Sequence, residues 1–220
     1  MKKLKRLLIV FLLLITAFAV YVEIINRNMK NMTYRQKVLR AVYPALMWLT
    51  NRSGKNTGKL INTDKQPPLS FYTLKLELNN GDTLDFSTLK GKKVMLVNTA
   101  SDCGYTHQYE DLQQLYTQSG DSLLVIGFPA NDFKEQEKGT DEEIGAFCKK
   151  NYGVSFPLAK KSMVLKGAAQ HPVYQWLTDP AKNGWNSKVP GWNFSKYLVN
   201  ENGILTGYFD PSVSPLKIVE

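Results

Sequence analysis

The chain holds two cysteines, and the first stands where an apolar run stops. Val94, Met95, Leu96 and Val97 make a short, nearly uninterrupted hydrophobic stretch, the composition of a strand buried on both faces of a mostly parallel sheet. Six residues later comes Cys103, then Gly104 as a turn, and from Thr106 onward Tyr109, Leu112, Leu115 and Tyr116 recur at helical spacing. Cys103 is therefore expected between the carboxyl end of a strand and the start of a helix. There the helix-start N–H groups and dipole favour an anion, so the thiol should ionise below the ordinary cysteine value of about 8.5 and act as a nucleophile. A buried cysteine serving as a small hydrophobe is the competing reading, and the position at a strand end favours the nucleophile.

The elements that must position Cys103 follow from the rest of the pattern. Residues 71–78 alternate as a strand, Asn79-Asn80-Gly81-Asp82 is turn chemistry, and residues 83–86 return as the second arm of a hairpin. A second buried strand is expected over 123–127, ending at Phe128-Pro129. Thr140, with Glu143 three residues on, has the form of a capped helix start, and that helix should run to about Asn151, before Gly153. A short helix is expected over 172–177 and a closing hairpin over 196–199 and 204–209, turned by Asn200-Glu201-Asn202-Gly203. This βα, βα, ββ order implies an α/β or mixed fold with a sheet covered by helices.

Charge locates a second organising feature. Of the 220 residues, those through Lys65 hold thirteen Lys and Arg against two acids, whereas the remainder hold fifteen against seventeen, so the net charge of +9 belongs to the N-terminal segment. A near-neutral body argues against a nucleic-acid-binding domain; basic residues beside an apolar run suit an anionic membrane surface. Residues 7–22 are apolar and uncharged, preceded by Lys2, Lys3, Lys5 and Arg6. Ala17-Phe18-Ala19 resembles a signal-peptidase site, yet the hydrophobicity continues to Ile25, about the length a spanning helix needs, so an uncleaved anchor with the domain outside is expected over a secreted or periplasmic product. Residues 33–50 have an amphipathic pattern that Pro44 should kink or restart, lying on the bilayer or packing on the domain. Residues 51–68 read as a linker. The expected division is 1–25 anchor or signal, 26–68 amphipathic segment and linker, and 69–220 the globular domain that carries Cys103.

Three separated blocks resemble the glutathione peroxidase family: Val97-Asn98-Thr99-Ala100-Ser101-Asp102-Cys103-Gly104-Tyr105-Thr106-His107-Gln108-Tyr109, then Gly127-Phe128-Pro129-Ala130-Asn131-Asp132-Phe133-Lys134-Glu135-Gln136-Glu137, then Trp192-Asn193-Phe194-Ser195-Lys196-Tyr197-Leu198-Val199. The likeness covers roughly residues 69–211. It implies a thioredoxin-like fold, a central mixed sheet flanked by helices, with Cys103 as a peroxidatic cysteine and Gln136, Trp192 and Asn193 completing a catalytic tetrad. The amides and indole of those three are uncharged N–H donors, suited to stabilising a thiolate and the oxygen expelled from a hydroperoxide. Ala130, Asp132, Lys134 and Lys138 depart from the family's usual Cys, Gln, Gly and Pro.

The resemblance further implies a hydroperoxide substrate, reduction by a thioredoxin-like protein or glutathione, and a monomer, since the stretch between Leu177 and Trp192 is short. Cys148 is the candidate resolving cysteine, although it falls about one position early on its helix, and one residue turns a side chain by about 100°. No cofactor is implied, and the isolated His107 and His171 do not make a metal site. Two rival functions share the same features. A membrane-tethered thiol–disulfide oxidoreductase wants Cys-x-x-Cys, but the fourth position here is Thr106. A non-enzymatic anchored interaction protein would not need Gln136, Trp192 and Asn193 together.

Overall fold

A computed structural model describes residues 2–52 and 58–218. Two helices come first, α1 (Lys2–Ile25) and α2 (Tyr34–Arg52). Next are β1 (Lys59–Ile61), the small hairpin β2 (Lys75–Glu77) and β3 (Thr83–Asp85), then β4 (Lys93–Thr99), α3 (Gln108–Ser119), β5 (Leu123–Pro129) and α4 (Asp141–Tyr152). The chain closes with α5 (Pro172–Leu177), α6 (Pro180–Asn183), β6 (Lys196–Val199) and β7 (Leu205–Phe209).

Five strands form one mixed sheet in the order β1-β7-β6-β4-β5. β4 and β5 are parallel, the remaining pairings antiparallel. β4 is central, and the two-residue period of a strand divides its side chains between two cores. Val94 and Leu96 pack with Ile126, Phe128, Val173, Tyr174 and Trp176, while Met95 and Val97 pack with Tyr109, Leu112, Leu115, Ile144 and Cys148. All four β4 residues are fully buried. At roughly 1.5–3 kcal/mol per buried large apolar side chain, such two-sided burial fixes the strand's register and hence where its polar end emerges.

Helix α4 starts as expected: the Thr140 hydroxyl accepts from Glu143 N, and the Glu143 carboxylate accepts from Thr140 N at 2.9 Å. It ends at Gly153 (φ 64°), with Val154 N donating to the Cys148 carbonyl at 3.3 Å.

Three local expectations change. Residues 71–73 form a 3₁₀ turn because the Ser70 hydroxyl captures Tyr72 N, leaving only Lys75–Glu77 as strand. The stretch read as a linker carries β1, an edge strand paired with β7 in the register Lys59↔Phe209; its three exposed residues give no alternation to see in sequence. Residues 53–57 of that stretch lie outside the described residues. Helix α2 continues through Pro44 rather than restarting. Finally, α1 is a 24-residue apolar helix with almost all its side chains exposed, long enough to cross a membrane and placed where a signal sequence would also stand.

Candidate active site

β4 ends at Thr99 and α3 begins only at Gln108, so Cys103 lies in a turn between them, five residues ahead of the helix. The turn is held by Thr106. Its hydroxyl donates to the Ala100 carbonyl at 2.8 Å and accepts from Cys103 N at 3.0 Å. This geometry presents Tyr105 N to the Cys103 sulfur at 3.4 Å. Cys103 is buried, only 2% exposed.

The expected lowering of the thiol by a helix start is corrected here. Burial is the largest influence and pushes the Cys103 thiol up; Tyr105 N–H, the side chains of Trp192 and Asn193, and the Arg35 charge act in the opposite direction. The helix begins too late for its dipole to dominate, since that effect fades within a turn.

The three proposed partners arrive from elsewhere. Gln136 follows β5 in the 130–139 loop and is 9% exposed; its backbone carbonyl accepts from Asp102 N at 3.1 Å. Trp192 and Asn193 precede β6, and Asn193 Nδ2 donates to Gln136 Oε1. Asn193 Oδ1 finds no hydrogen-bond partner among the described residues. Trp192 packs on Phe133 and lies beneath the Lys134 ammonium, 5.6 Å from the ring centroid. Cys103, Gln136, Trp192 and Asn193 are thus brought to one place from three loops at one end of the sheet.

Asn98 holds that convergence and was not singled out from sequence. Its Nδ2 donates to the Trp192 carbonyl at 3.0 Å, its Oδ1 accepts from Ser195 N at 3.1 Å, and its own carbonyl accepts from Phe194 N at 2.6 Å. One buried amide in β4 therefore braces both ends of the 192–195 turn, whose Phe194 sits at φ 67°. The signal was present: a lone amide at the end of an apolar strand must find partners, because leaving it unsatisfied costs about 1–3 kcal/mol.

Cys148 belongs to the same buried cluster as Cys103. It is fully buried on α4 in the cluster with Tyr109, and burial pushes its thiol up to about 12. Both cysteines are free. Glu137, next to Gln136, is 1% exposed and burial raises its carboxyl to about 7; Ser101 opposes the shift without its hydroxyl closing a full hydrogen bond.

Residues 71–178 match the family model described as glutathione peroxidase. Over 151 residues the chain is 42% identical to the glutathione peroxidase homolog BsaA of Halalkalibacterium halodurans, covering 68% of this chain and 95% of that protein. The chain belongs to the glutathione peroxidase family. A second member of similar likeness is the glutathione peroxidase-like peroxiredoxin 2 of Saccharomyces cerevisiae, 42% identical over 150 residues, 68% of this chain and 92% of that one. The thioredoxin-like fold is shared with the crystal structure of Trgpx in apo form, at 34% identity and a TM-score of 0.53, covering 69% of this chain and 91% of that chain. As a glutathione peroxidase family member the chain is an oxidoreductase of the peroxidase class. The matched family segment runs through Cys103, Gln136 and Cys148, and ends before Trp192 and Asn193; α1 and α2 lie ahead of it.

Proposed function

We propose that Cys103 is the peroxidatic residue of a thiol peroxidase that reduces hydrogen peroxide or organic hydroperoxides in the response to oxidative stress. The observation that carries this reading is the Tyr105 N–H held 3.4 Å from an otherwise buried sulfur, with the neutral side chains of Trp192 and Asn193 also acting to lower its thiol. A buried thiolate is unfavourable unless such groups compensate it, and here they face the atom that must carry the charge.

The sulfur attacks one peroxide oxygen and the O–O bond breaks. Its electron pair leaves on the second oxygen, which takes up the proton the thiol gave up and departs as alcohol or water. Cys103 is oxidised by two electrons to the sulfenic acid. A thiol then condenses with it, releasing water and forming a disulfide, and a second thiol restores Cys103. Gln136 holds the Asn193 amide in place for the first step. The reductant is a thioredoxin-like protein or glutathione, with Cys148 as candidate resolving cysteine and the enzyme acting as a monomer. Dithiol exchange within the 103–106 motif is not available, because Thr106 occupies the fourth position and its hydroxyl is committed to the turn. We further propose that α1 anchors the enzyme, with the catalytic domain on the extracytoplasmic side; cleavage after Ala19 would instead release it.

Hydroperoxide consumption by the purified chain, with a thioredoxin system and glutathione supplied in parallel, tests the activity and its donor together. Cys103→Ser should abolish turnover without unfolding the protein, since oxygen is similar in size and a far poorer nucleophile here. Retained activity in that variant would overturn the assignment.

A further inference from the structure

Helix α2 touches the Cys103 loop on both sides of the cysteine. Ahead of it, Gln36 Nε2 donates to the Ser101 carbonyl at 2.9 Å. Arg35 Nη1 donates to the Asp102 carbonyl at 3.0 Å and pairs with the Asp102 carboxylate. Beyond it, Arg40 Nη2 bonds Glu110 Oε1 at 2.8 Å, and the Tyr43 ring meets His107 edge-on at 5.0 Å and Tyr105 at 6.2 Å. Gln36, Arg40 and Tyr43 are spaced i, i+4, i+7, one face of a helix, so a single docking event makes all these contacts. The same face fastens α1: Arg40 Nη1 donates to the Ile25 carbonyl at 2.9 Å, and Lys37 pairs with Glu23 at 2.7 Å.

Building on the role given to Cys103 above, we propose that α2 is a working part of the peroxidase centre, with Arg35 and Gln36 as positioning residues that set the Cys103 loop in its reactive shape. The family model begins at Phe71, so this device comes from the N-terminal segment that the model does not cover. Its physical basis is a matter of which groups surround the sulfur. Two loop carbonyls, Ser101 and Asp102, would place partial negative charge beside a thiolate, and α2 supplies each with a donor. Among the described residues, Asp102, Tyr43 and Tyr105 are ionisable groups near Cys103 that oppose its charge when ionised; His107 packs on Tyr43, Glu110 pairs with Arg40 and Asp210 acts on Tyr105, while Trp192 and Asn193 are neutral donors. Lys134 lies over the Trp192 ring, and Arg35, joined to the loop at Asp102, is the cation whose charge acts to lower the thiol, after the Tyr105, Trp192 and Asn193 donors. Arg35 is 54% exposed, so its influence is weakened by salt.

The test uses the full chain in detergent with Cys148→Ser throughout, so that one thiol reports. Alkylation of Cys103 by iodoacetamide is followed against pH, and oxidation by one equivalent of hydrogen peroxide is followed in time. Arg35→Met should slow oxidation about tenfold at pH 7 and move the alkylation profile to higher pH. Arg35→Lys should restore the profile, Gln36→Ala should slow oxidation with little movement of it, and high salt should narrow the gap between parent and Arg35→Met. Arg35→Met with the parent's rate and profile would reduce α2 to packing support and overturn the proposal. A parent that does not react with peroxide overturns the role of Cys103, and the alkylation profiles then still report on α2.

Discussion

Asn193 Nδ2 donates to Gln136 Oε1 across 2.9 Å, joining two buried side chains 57 residues apart. Gln136 rides on the loop after β5 and Asn193 on the turn that Asn98 braces, so the bond ties together two loops that flank Cys103.

Removing either amide should therefore loosen the other. Gln136→Ala and Asn193→Ala are each expected to slow Cys103 oxidation by about 10²-fold, as loss of a preorganised donor does elsewhere, and Trp192→Phe likewise. The Gln136→Ala/Asn193→Ala double variant should be much less than multiplicatively slower, because the first substitution already spoils the second residue's position. Single-turnover stopped-flow oxidation measures all four rates. Fully multiplicative losses would show that the two amides act separately.

The sheet and its crossover helices were legible because each leaves a local mark, and the motif blocks named side chains, Cys103, Gln136, Trp192 and Asn193, that the fold brings near one another. Val94 to Val97 read as a doubly buried strand, Thr140 and Glu143 as a capping box, and the three motif blocks carried the site. What was not legible depends on tertiary docking. Residues 59–61 are strand only because β7 offers an edge, and Arg35 and Gln36 meet the Cys103 loop only because α2 lies against residues about 65 positions away. The state of the Cys103 thiol was misjudged for a related reason: burial, which a sequence window does not show, outweighs the nearby helix start.

Lys134 and Glu135 both adopt left-handed backbone, at φ 51° and 52°, and Lys134 stands where the family usually has glycine. For a side-chain-bearing residue that conformation costs roughly 1–2 kcal/mol, while the ammonium over Trp192 returns about 0.5–1 kcal/mol. Lys134→Gly loses the cation but relieves the strain, whereas Lys134→Ala loses the cation and keeps it. Urea unfolding should find the Gly variant more stable than the Ala variant by about 1 kcal/mol. Equal stabilities, or Ala the higher, would mean the backbone there is not strained.

Glu137 makes stability depend on pH with an unusual sign. Its carboxyl is raised from the ordinary 4.5 to about 7 in the folded chain, so the native state holds a proton that the unfolded state has lost between those values. Stability should fall as pH rises through that window, by roughly 3 kcal/mol at full ionisation, at about 1.4 kcal/mol per tenfold change in proton affinity. Glu137→Gln removes the charge while keeping the shape. It should unfold at higher denaturant than wild type at pH 8 and at the same concentration near pH 4.5. A difference independent of pH would place the cause in packing.

Cys148 poses the sharpest mechanistic question, because its sulfur is fully buried beside Tyr109 and its thiol is raised to about 12. Attack on a Cys103 sulfenic acid needs thiolate character, which that environment denies. A Cys103–Cys148 disulfide would therefore require the end of α4 to open first. That end is fastened three ways: Val154 N bonds the Cys148 carbonyl, Lys30 N donates to Asn151 Oδ1 at 2.6 Å, and Asn151 Nδ2 donates to the Phe147 carbonyl at 3.1 Å. Mass spectrometry after one equivalent of peroxide should show a prompt gain of one oxygen on Cys103. Loss of two hydrogens relative to the reduced chain should follow more slowly. Asn151→Ala, which frees the last turn, should speed the second event and leave the first unchanged. Cys148→Ser should stop at the sulfenic or over-oxidised state. If wild type also stops there and is turned over only by an added small thiol, Cys148 is a packing residue and the enzyme runs on one cysteine.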